Sequence, residues 1–211
     1  MKFFIPGPAG RLEALLWEPL DARPARAAAV VCHPHPRGGG TMDNNVVFRT
    51  ARGLQRAGLA VLRFNFRGTG ASEGVHDGAG AEETDAAAVL GHLERRFPGL
   101  ALWGAGFSFG ARTIASLACR DRRLSRALCV TMPCKAFDCS FLARVLAPTH
   151  VILAGLDEYG NLSDLRARVP GLPPHVATEE IPGVDHFFKG RTPELEARVH
   201  AWASAQFADV P

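Results

Sequence analysis

Among the side chains of this sequence able to do covalent chemistry, Ser108 is singled out by its neighbours. It is the centre of Gly106-Phe107-Ser108-Phe109-Gly110, a G-x-S-x-G pattern. The spacing has a steric reason. A serine on a sharp strand-to-helix turn presents its hydroxyl at the tip in a strained backbone conformation, and side chains two residues away on either side would collide. Glycine is abundant here, at 22 of 211 residues, so the five letters need their context. That context agrees: residues 100–107 are apolar and of strand length, and the stretch to Ala118 runs on with helical apolar spacing. The same letters contain Gly104-x-Gly106-x-x-x-Gly110, a relaxed dinucleotide fingerprint. It has one residue too many between its last two glycines, and no acidic residue closes a second strand about 20 positions on.

A serine hydroxyl attacks a carbonyl only with a base beside it and an acid to orient that base. Of the eight histidines, His92 and His200 fall in helical stretches, and His150 and His175 open strands at the wrong edge of a sheet. His76 sits in a glycine-rich loop, where a solvated ring is expected. His186 follows a strand and a Pro-Gly turn in Ile181-Pro-Gly-Val-Asp-His, which puts it on a loop at a strand's carboxyl edge. Asp157 comes directly after the strand of residues 151–155; Glu158 satisfies the same spacing and stays open as the acid. Asp185 adjoins His186 but is expected to point away from it. The chain order Ser, Asp, His is that of the α/β-hydrolases. An oxyanion hole needs two backbone N–H groups. Phe109, next to the nucleophile at a helix N-terminus, supplies one. The other is expected from the loop after Cys32, where Pro34 and Pro36 have no N–H and His35 is the first donor after His33.

His33-x-His35 also has the look of half a metal site, but only Asp43 lies near it as a further ligand. No metal or cofactor is expected, and His33 is assigned a structural hydrogen bond within its loop. Cys129, Cys134 and Cys139 fall five apart, a spacing of no usual zinc pattern, and are taken as buried thiols.

These groups need elements to carry them. Residues 2–5 and 11–17 suggest an opening hairpin around Pro6–Gly10, and 27–32, AAAVVC, a strand covered on both faces. Residues 44–57 form a helix capped by Asp43 or Asn44 and ended by Gly58. Strands follow at 59–66, 126–132, 149–155 and 175–181, with helices at 81–97, 162–169 and 192–207. Thr192 is placed at the cap of the last helix. Strands alternating with helices give an α/β fold: a mostly parallel central sheet with helices on both faces, in one domain spanning 1–211. Its chemistry should gather beyond the carboxyl ends of the strands.

Composition narrows the setting. Apolar residues are 47% and charged residues 21%, with 24 basic against 21 acidic side chains. A net charge of +3 from scattered arginines argues against a nucleic-acid partner. No stretch approaches the roughly 18 apolar residues of a membrane span, and the first residues do not read as a signal peptide. Five cysteines without an export signal point to reduced thiols and a cytoplasmic location. Homo-oligomerisation is left open.

Four segments, taken together, resemble a known family: His33-Pro-His-Pro-Arg-Gly-Gly-Gly-Thr-Met-Asp-Asn-Asn, Leu62-Arg-Phe-Asn-Phe-Arg-Gly-Thr-Gly-Ala-Ser-Glu-Gly, Gly106-Phe-Ser-Phe-Gly110 and Ile181-Pro-Gly-Val-Asp-His-Phe-Phe. They are similar to the small bacterial α/β-hydrolases without a lid, of the dienelactone-hydrolase-like and CocE/NonD-like group. The resemblance implies the α/β-hydrolase fold and a serine hydrolase of the carboxylesterase type. It implies Ser108, Asp157 and His186 as a triad, with His35 and Phe109 as oxyanion donors. Thioesterase or acyltransferase activity would use the same triad, and a non-catalytic binding protein could keep the fold. The partner implied is a small-molecule ester or thioester. Dienelactone hydrolases proper carry a cysteine nucleophile where this chain has Ser108, so their substrate does not carry over. The family's acid is commonly in Gly-x-x-Asp, one residue longer than Gly155-Leu-Asp157. Residues 134–147 are too short for a lid domain, so an open, shallow site is expected. Phe107, Phe109, Tyr159, Phe187 and Phe188 are candidates for an acyl pocket, with Phe107 expected in the core. Arg37, Arg67 and Lys189 are candidates for an anionic group or plain solvated cations, and Arg67 alternatively braces the nucleophile loop.

Overall fold

The run AAAVVC has no polar face, and only a strand buried on both sides accommodates that. In the computed structural model, which describes residues 2–20, 23–76 and 80–208, it is β3 (Ala27–Cys32), and all six side chains are buried. Because successive side chains alternate, Ala28, Val30 and Cys32 enter one core while Ala27, Ala29 and Val31 enter the other. The first core is roofed by α2 (Glu82–Arg96) and α3 (Phe109–Leu117), with Leu165 of the short α4 (Leu162–Arg168), the second by α1 (Asn45–Arg56) and α5 (Thr192–Ala205).

The remaining strands are β1 (Lys2–Gly7), β2 (Gly10–Trp17), β4 (Leu59–Phe64), β5 (Leu102–Phe107), β6 (Leu124–Val130), β7 (Thr149–Ala154) and β8 (Val176–Ile181). They form one eight-stranded sheet in the order β1-β2-β4-β3-β5-β6-β7-β8. The opening hairpin β1–β2 is antiparallel and joins β4 antiparallel, and every other pairing is parallel. The order runs outward in opposite directions from β3 and β5. The loops after those two strands therefore flank a switch point, the place where open α/β sheets form a crevice. The link between β6 and β7 holds only a 3-10 turn, Ser140–Arg144, and no lid. Among the described residues no helix is long and apolar enough to cross a membrane.

Three of the boundary differences from the sequence reading have a cause in the structure. Strand β4 stops at Phe64, not Phe66, because the Phe66 N–H donates to Nε2 of His33 instead of to a neighbouring strand. Strand β6 begins at Leu124, not Arg126: a register shift against Leu102 and Trp103 admits the extra residues. The cap of α5 is Arg191, without a side-chain bond, and Thr192 is the first helical residue. The Thr192 hydroxyl is taken up by Nδ2 of Asn45, 3.3 Å away, which ties α5 to the start of α1. Of the two caps considered for α1, Asn44 is used, its side-chain oxygen accepting from the N–H groups of Val46 and Val47.

Candidate active site

Strand β5 passes into α3 through a single residue, Ser108, at φ 55° and ψ −116°. The only other non-glycine residues with positive φ among those described are Thr131 and Phe188. The turn is held by the Ser108 N–H donating to Val130 O at 2.9 Å and the Arg112 N–H donating to Ser108 O at 3.0 Å. Both glycines of the motif are sterically required, for different reasons. A Cβ at Gly106 would lie 2.2 Å from the carbonyl carbon of Gly110, whereas one at Gly110 would lie 2.3 Å from Cys32 O. The second glycine thus lets α3 press against the loop after β3. Gly110→Ala is expected to cost on the order of 3 kcal/mol, because the obstacle is backbone that cannot swing aside; urea unfolding measures it.

The carboxyl edge of the sheet brings three distant residues together. Nε2 of His186 is 2.9 Å from Ser108 Oγ, and Nδ1 of His186 is 2.8 Å from Asp157 Oδ2. The Asp157 side chain is fully buried, and its other oxygen accepts the Tyr159 N–H at 2.8 Å. Glu158, its neighbour, is exposed. Asp185 accepts the N–H of Lys189 at 2.9 Å and so is engaged within its own loop. A buried carboxylate on Nδ1 keeps the proton on that nitrogen. The Nε2 lone pair then faces the serine hydroxyl and can accept its proton. The His186 ring is packed among Phe107, Tyr159 and Phe187 at 4.7–5.1 Å.

His35 lies across the crevice from α3, in a turn where the N–H groups of Gly38 and Gly40 donate to its carbonyl at 3.0 and 3.1 Å. Its ring packs 4.9 Å from that of Phe109. Among the described residues, neither the His35 nor the Phe109 amide N–H has an intramolecular acceptor. Burial, with His76 and Arg37 nearby, pushes the His35 imidazole below its ordinary pKa.

His33 holds the same loop from behind. Its Nε2 accepts the Phe66 N–H at 3.0 Å, so the ring proton is on Nδ1, which donates to Pro34 O at 2.6 Å. Burial lowers its pKa from 6.5 to about 4, the bond to Pro34 opposing. The unfolded chain therefore takes up this proton first as pH falls. The stability His33 contributes is complete above pH 6.5 and is lost between there and pH 4, reaching about 3 kcal/mol. We expect His33→Asn to be less stable at pH 7 yet to lose less stability over that interval, as read by denaturant unfolding at pH 7 and 4.5.

The apolar cavity beside Ser108 has a volume of about 350 Å³. Its walls are Phe137, Tyr159 and Phe187, with glycines 38–40 opposite. Phe107 and Phe188 are instead fully buried in the core, and Phe109 is nearly so. Phe137 was not foreseen: it lies in the irregular link after β6, where no periodicity marks it. No Lys or Arg lines the cavity. Arg37 and Lys189 are exposed outside it. Arg67 is held at the start of α2. Its guanidinium binds Asp85 at 2.6 Å and Thr84 at 2.7 Å, fastening the loop after β4 to α2. A larger groove of about 640 Å³, between Trp17, Phe48 and the Arg49–Glu196 ion pair, holds none of these groups. His76, expected to be solvated, is buried and hydrogen-bonded to Glu82.

Among the described residues no three His, Cys, Asp or Glu side chains are grouped to hold a metal ion. All five cysteines are unbridged, and burial raises each thiol pKa, which disfavours the thiolate.

No family model matches the chain. It is 32% identical to an uncharacterized protein of Rickettsia prowazekii, over 94% of this chain and 87% of that one. Its fold superposes on an alpha-beta serine hydrolase homologue from Coxiella burnetii with a TM-score of 0.89, at 34% identity, covering 95% and 96% of the two chains. It superposes equally on an α/β serine hydrolase without a lid from Xanthomonas campestris, with a TM-score of 0.91, at 29% identity, covering 100% and 96%.

Proposed function

The chain belongs to the α/β serine hydrolases without a lid, and from that premise we propose that it cleaves carboxylic esters of small or medium acyl groups through an acyl-enzyme on Ser108. The observation that carries this reading is the unbroken relay Ser108 Oγ, His186, Asp157, at 2.9 and 2.8 Å. Ser108 Oγ attacks the ester carbonyl as its proton passes to His186 Nε2. Asp157 stabilises the imidazolium so formed without taking a proton. The negative charge on the former carbonyl oxygen is met by the amide N–H groups of His35 and Phe109. As the tetrahedral species collapses, the ester C–O bond breaks and His186 returns the proton to the departing alkoxide. A water molecule then repeats the sequence on the acyl-serine, releasing the carboxylic acid and restoring the hydroxyl. Every proton is carried by these side chains and water, so the cycle requires no cofactor.

The cavity lining bears on the substrate. With aromatic walls and no cation, an uncharged acyl group enters at little cost, while a carboxylate would lose its hydration unpaired. For p-nitrophenyl esters we expect kcat/KM for butyrate to exceed that for the monosuccinate by roughly tenfold or more. The test of the reading as a whole is a panel of esters and thioesters, with alcohols as competing acceptors, combined with fluorophosphonate labelling. Ester turnover with labelling at Ser108 supports it. Thioester preference or acyl transfer would reassign the acceptor on the same serine. A folded protein that neither turns over any substrate nor is labelled would be a binding protein.

A further inference from the structure

Behind the crevice lies a buried histidine–carboxylate pair that the relay does not use. Nδ1 of His76 is hydrogen-bonded to Oε1 of Glu82, the first residue of α2. His76 is 8% exposed and Glu82 is 0% exposed. Two neighbouring carboxylates of that helix are likewise held by basic side chains, Asp85 by Arg67 and Glu83 by Arg120. The positive end of the helix dipole favours all three carboxylates; the His76 and Arg67 pairs clamp loop 67–76 onto α2, while Arg120 ties α2 to the turn after α3. A clamp alone does not account for His76. Among the described residues, its Nε2 and the second oxygen of Glu82 are buried without a hydrogen-bond partner. A half-satisfied polar pair is a poorer way to fill a core than two apolar side chains, so it asks for another explanation.

The explanation lies in what the ring touches. The His76 ring centroid is 4.9 Å from that of His35, at 87°, and 6.0 Å from that of Phe109, at 88°. The rings of His35 and Phe109 are themselves 4.9 Å apart. The two residues whose amides are assigned to the oxyanion site thus meet through their side chains, and His76 closes the triangle. We propose that His76, anchored by Glu82, is a positioning residue: its ring sets the separation of the His35 and Phe109 amides. This rests on Ser108 acting as the nucleophile. The anchor matters because a bare aromatic ring could turn in its slot, whereas the bond from Nδ1 to Glu82 fixes its plane. A misplaced donor pair weakens binding of the developing oxyanion but hardly that of the neutral ester, so the effect should fall on kcat and spare KM.

The experiment compares the wild type with His76→Ala, Glu82→Ala and the double variant His76→Phe/Glu82→Leu. Each is assayed with p-nitrophenyl butyrate, and kcat is expressed per site titrated by a fluorophosphonate. His76→Ala should lower per-site kcat roughly 10- to 100-fold with KM within about twofold. Glu82→Ala, which frees the ring without removing it, should lower it about fivefold. The double variant, which rebuilds the wedge from apolar groups, should recover to within about threefold of wild type. A loss appearing wholly as fewer titratable sites would show a merely structural role and overturn the proposal. So would an unchanged per-site kcat in His76→Ala, or a double variant that folds and shows no recovery. If the double variant does not fold, the Glu82→Ala result decides between the same two conclusions. A wild type that is neither labelled nor active would remove the esterase reading itself, and the positioning role with it. An active wild type with indifferent variants would remove the positioning role alone.

Discussion

Ser108→Ala is expected to lower kcat for p-nitrophenyl acetate by about 10⁵-fold or more and to abolish fluorophosphonate labelling. The fold should survive this change. Alanine keeps the Cβ and therefore the same strained backbone at φ 55°, and Gly106 and Gly110 still relieve the close approaches around it. Among the described residues the hydroxyl has one side-chain hydrogen bond, the 2.9 Å bond to His186, on a residue that is not fully buried. Unfolding free energy should thus stay within about 1 kcal/mol of wild type. The contrast between an almost complete loss of turnover and an unmoved unfolding curve makes the result specific. What turnover remains should come from the binding site and the oxyanion amides, which the substitution leaves in place. A variant that still turned over the ester at the wild-type rate would dismiss Ser108 as the nucleophile, whatever the distances around it.

The second large effect separates two adjacent carboxylates. Asp157→Asn should lower kcat by about 10⁴-fold, whereas Glu158→Gln should change it less than about twofold. Asparagine fills the same buried space, but its amide can present N–H to His186 Nδ1. The imidazole proton then moves to Nε2, which points at Ser108 Oγ and can no longer take a proton from it. The Tyr159 N–H can still be accepted by the amide oxygen only if the nitrogen faces His186, so the local bonds favour the unproductive tautomer. Glu158 is exposed and takes no part in the relay geometry. Steady-state kinetics on the two variants, with their thermal unfolding compared, gives the answer directly. Equal losses in both, or a larger loss in Glu158→Gln, would transfer the acid role.

The loop after β3 connects these effects to stability. His33 fastens it to Phe66 and Pro34, Gly110 lets α3 approach it, and His35 packs against Phe109. Asn65 adds a further tie, accepting the Met42 N–H at 2.8 Å while its own amide donates to Glu13 at 2.6 Å. The segments that carried the family resemblance, around His33, Asn65, Ser108 and His186, are thus the ones that meet at this crevice. Asn65 lies within one of them, but its role is visible only once Met42 and Glu13, from distant parts of the chain, are seen beside it.

What was legible in the sequence follows from local physics. A six-residue apolar run demands cover on both faces. A proline has no N–H, so His35 could be separated from Pro34 and Pro36. A serine flanked at two residues by glycines suits one kind of turn, and a strand's carboxyl end identifies the loops where chemistry can gather. From those rules came the α/β architecture, the hairpin, the chain order serine, acid, histidine with Asp157 and Glu158 both open as the acid, and a structural hydrogen bond for His33. What only the tertiary structure decided depends on which way neighbouring side chains face and on what arrives from elsewhere. Asp157 and Glu158 are equivalent by spacing, but consecutive residues leave a strand end in different directions, and one is buried against His186 while the other meets solvent. Phe137 reaches the cavity from a segment with no periodicity, and Thr192 is the first residue of its helix and not its cap, its hydroxyl accepting from Asn45. His76 looks like a loop histidine until α2 brings Glu82 to it, because a side chain's burial is a property of the chain packed around it and not of the residues beside it in sequence.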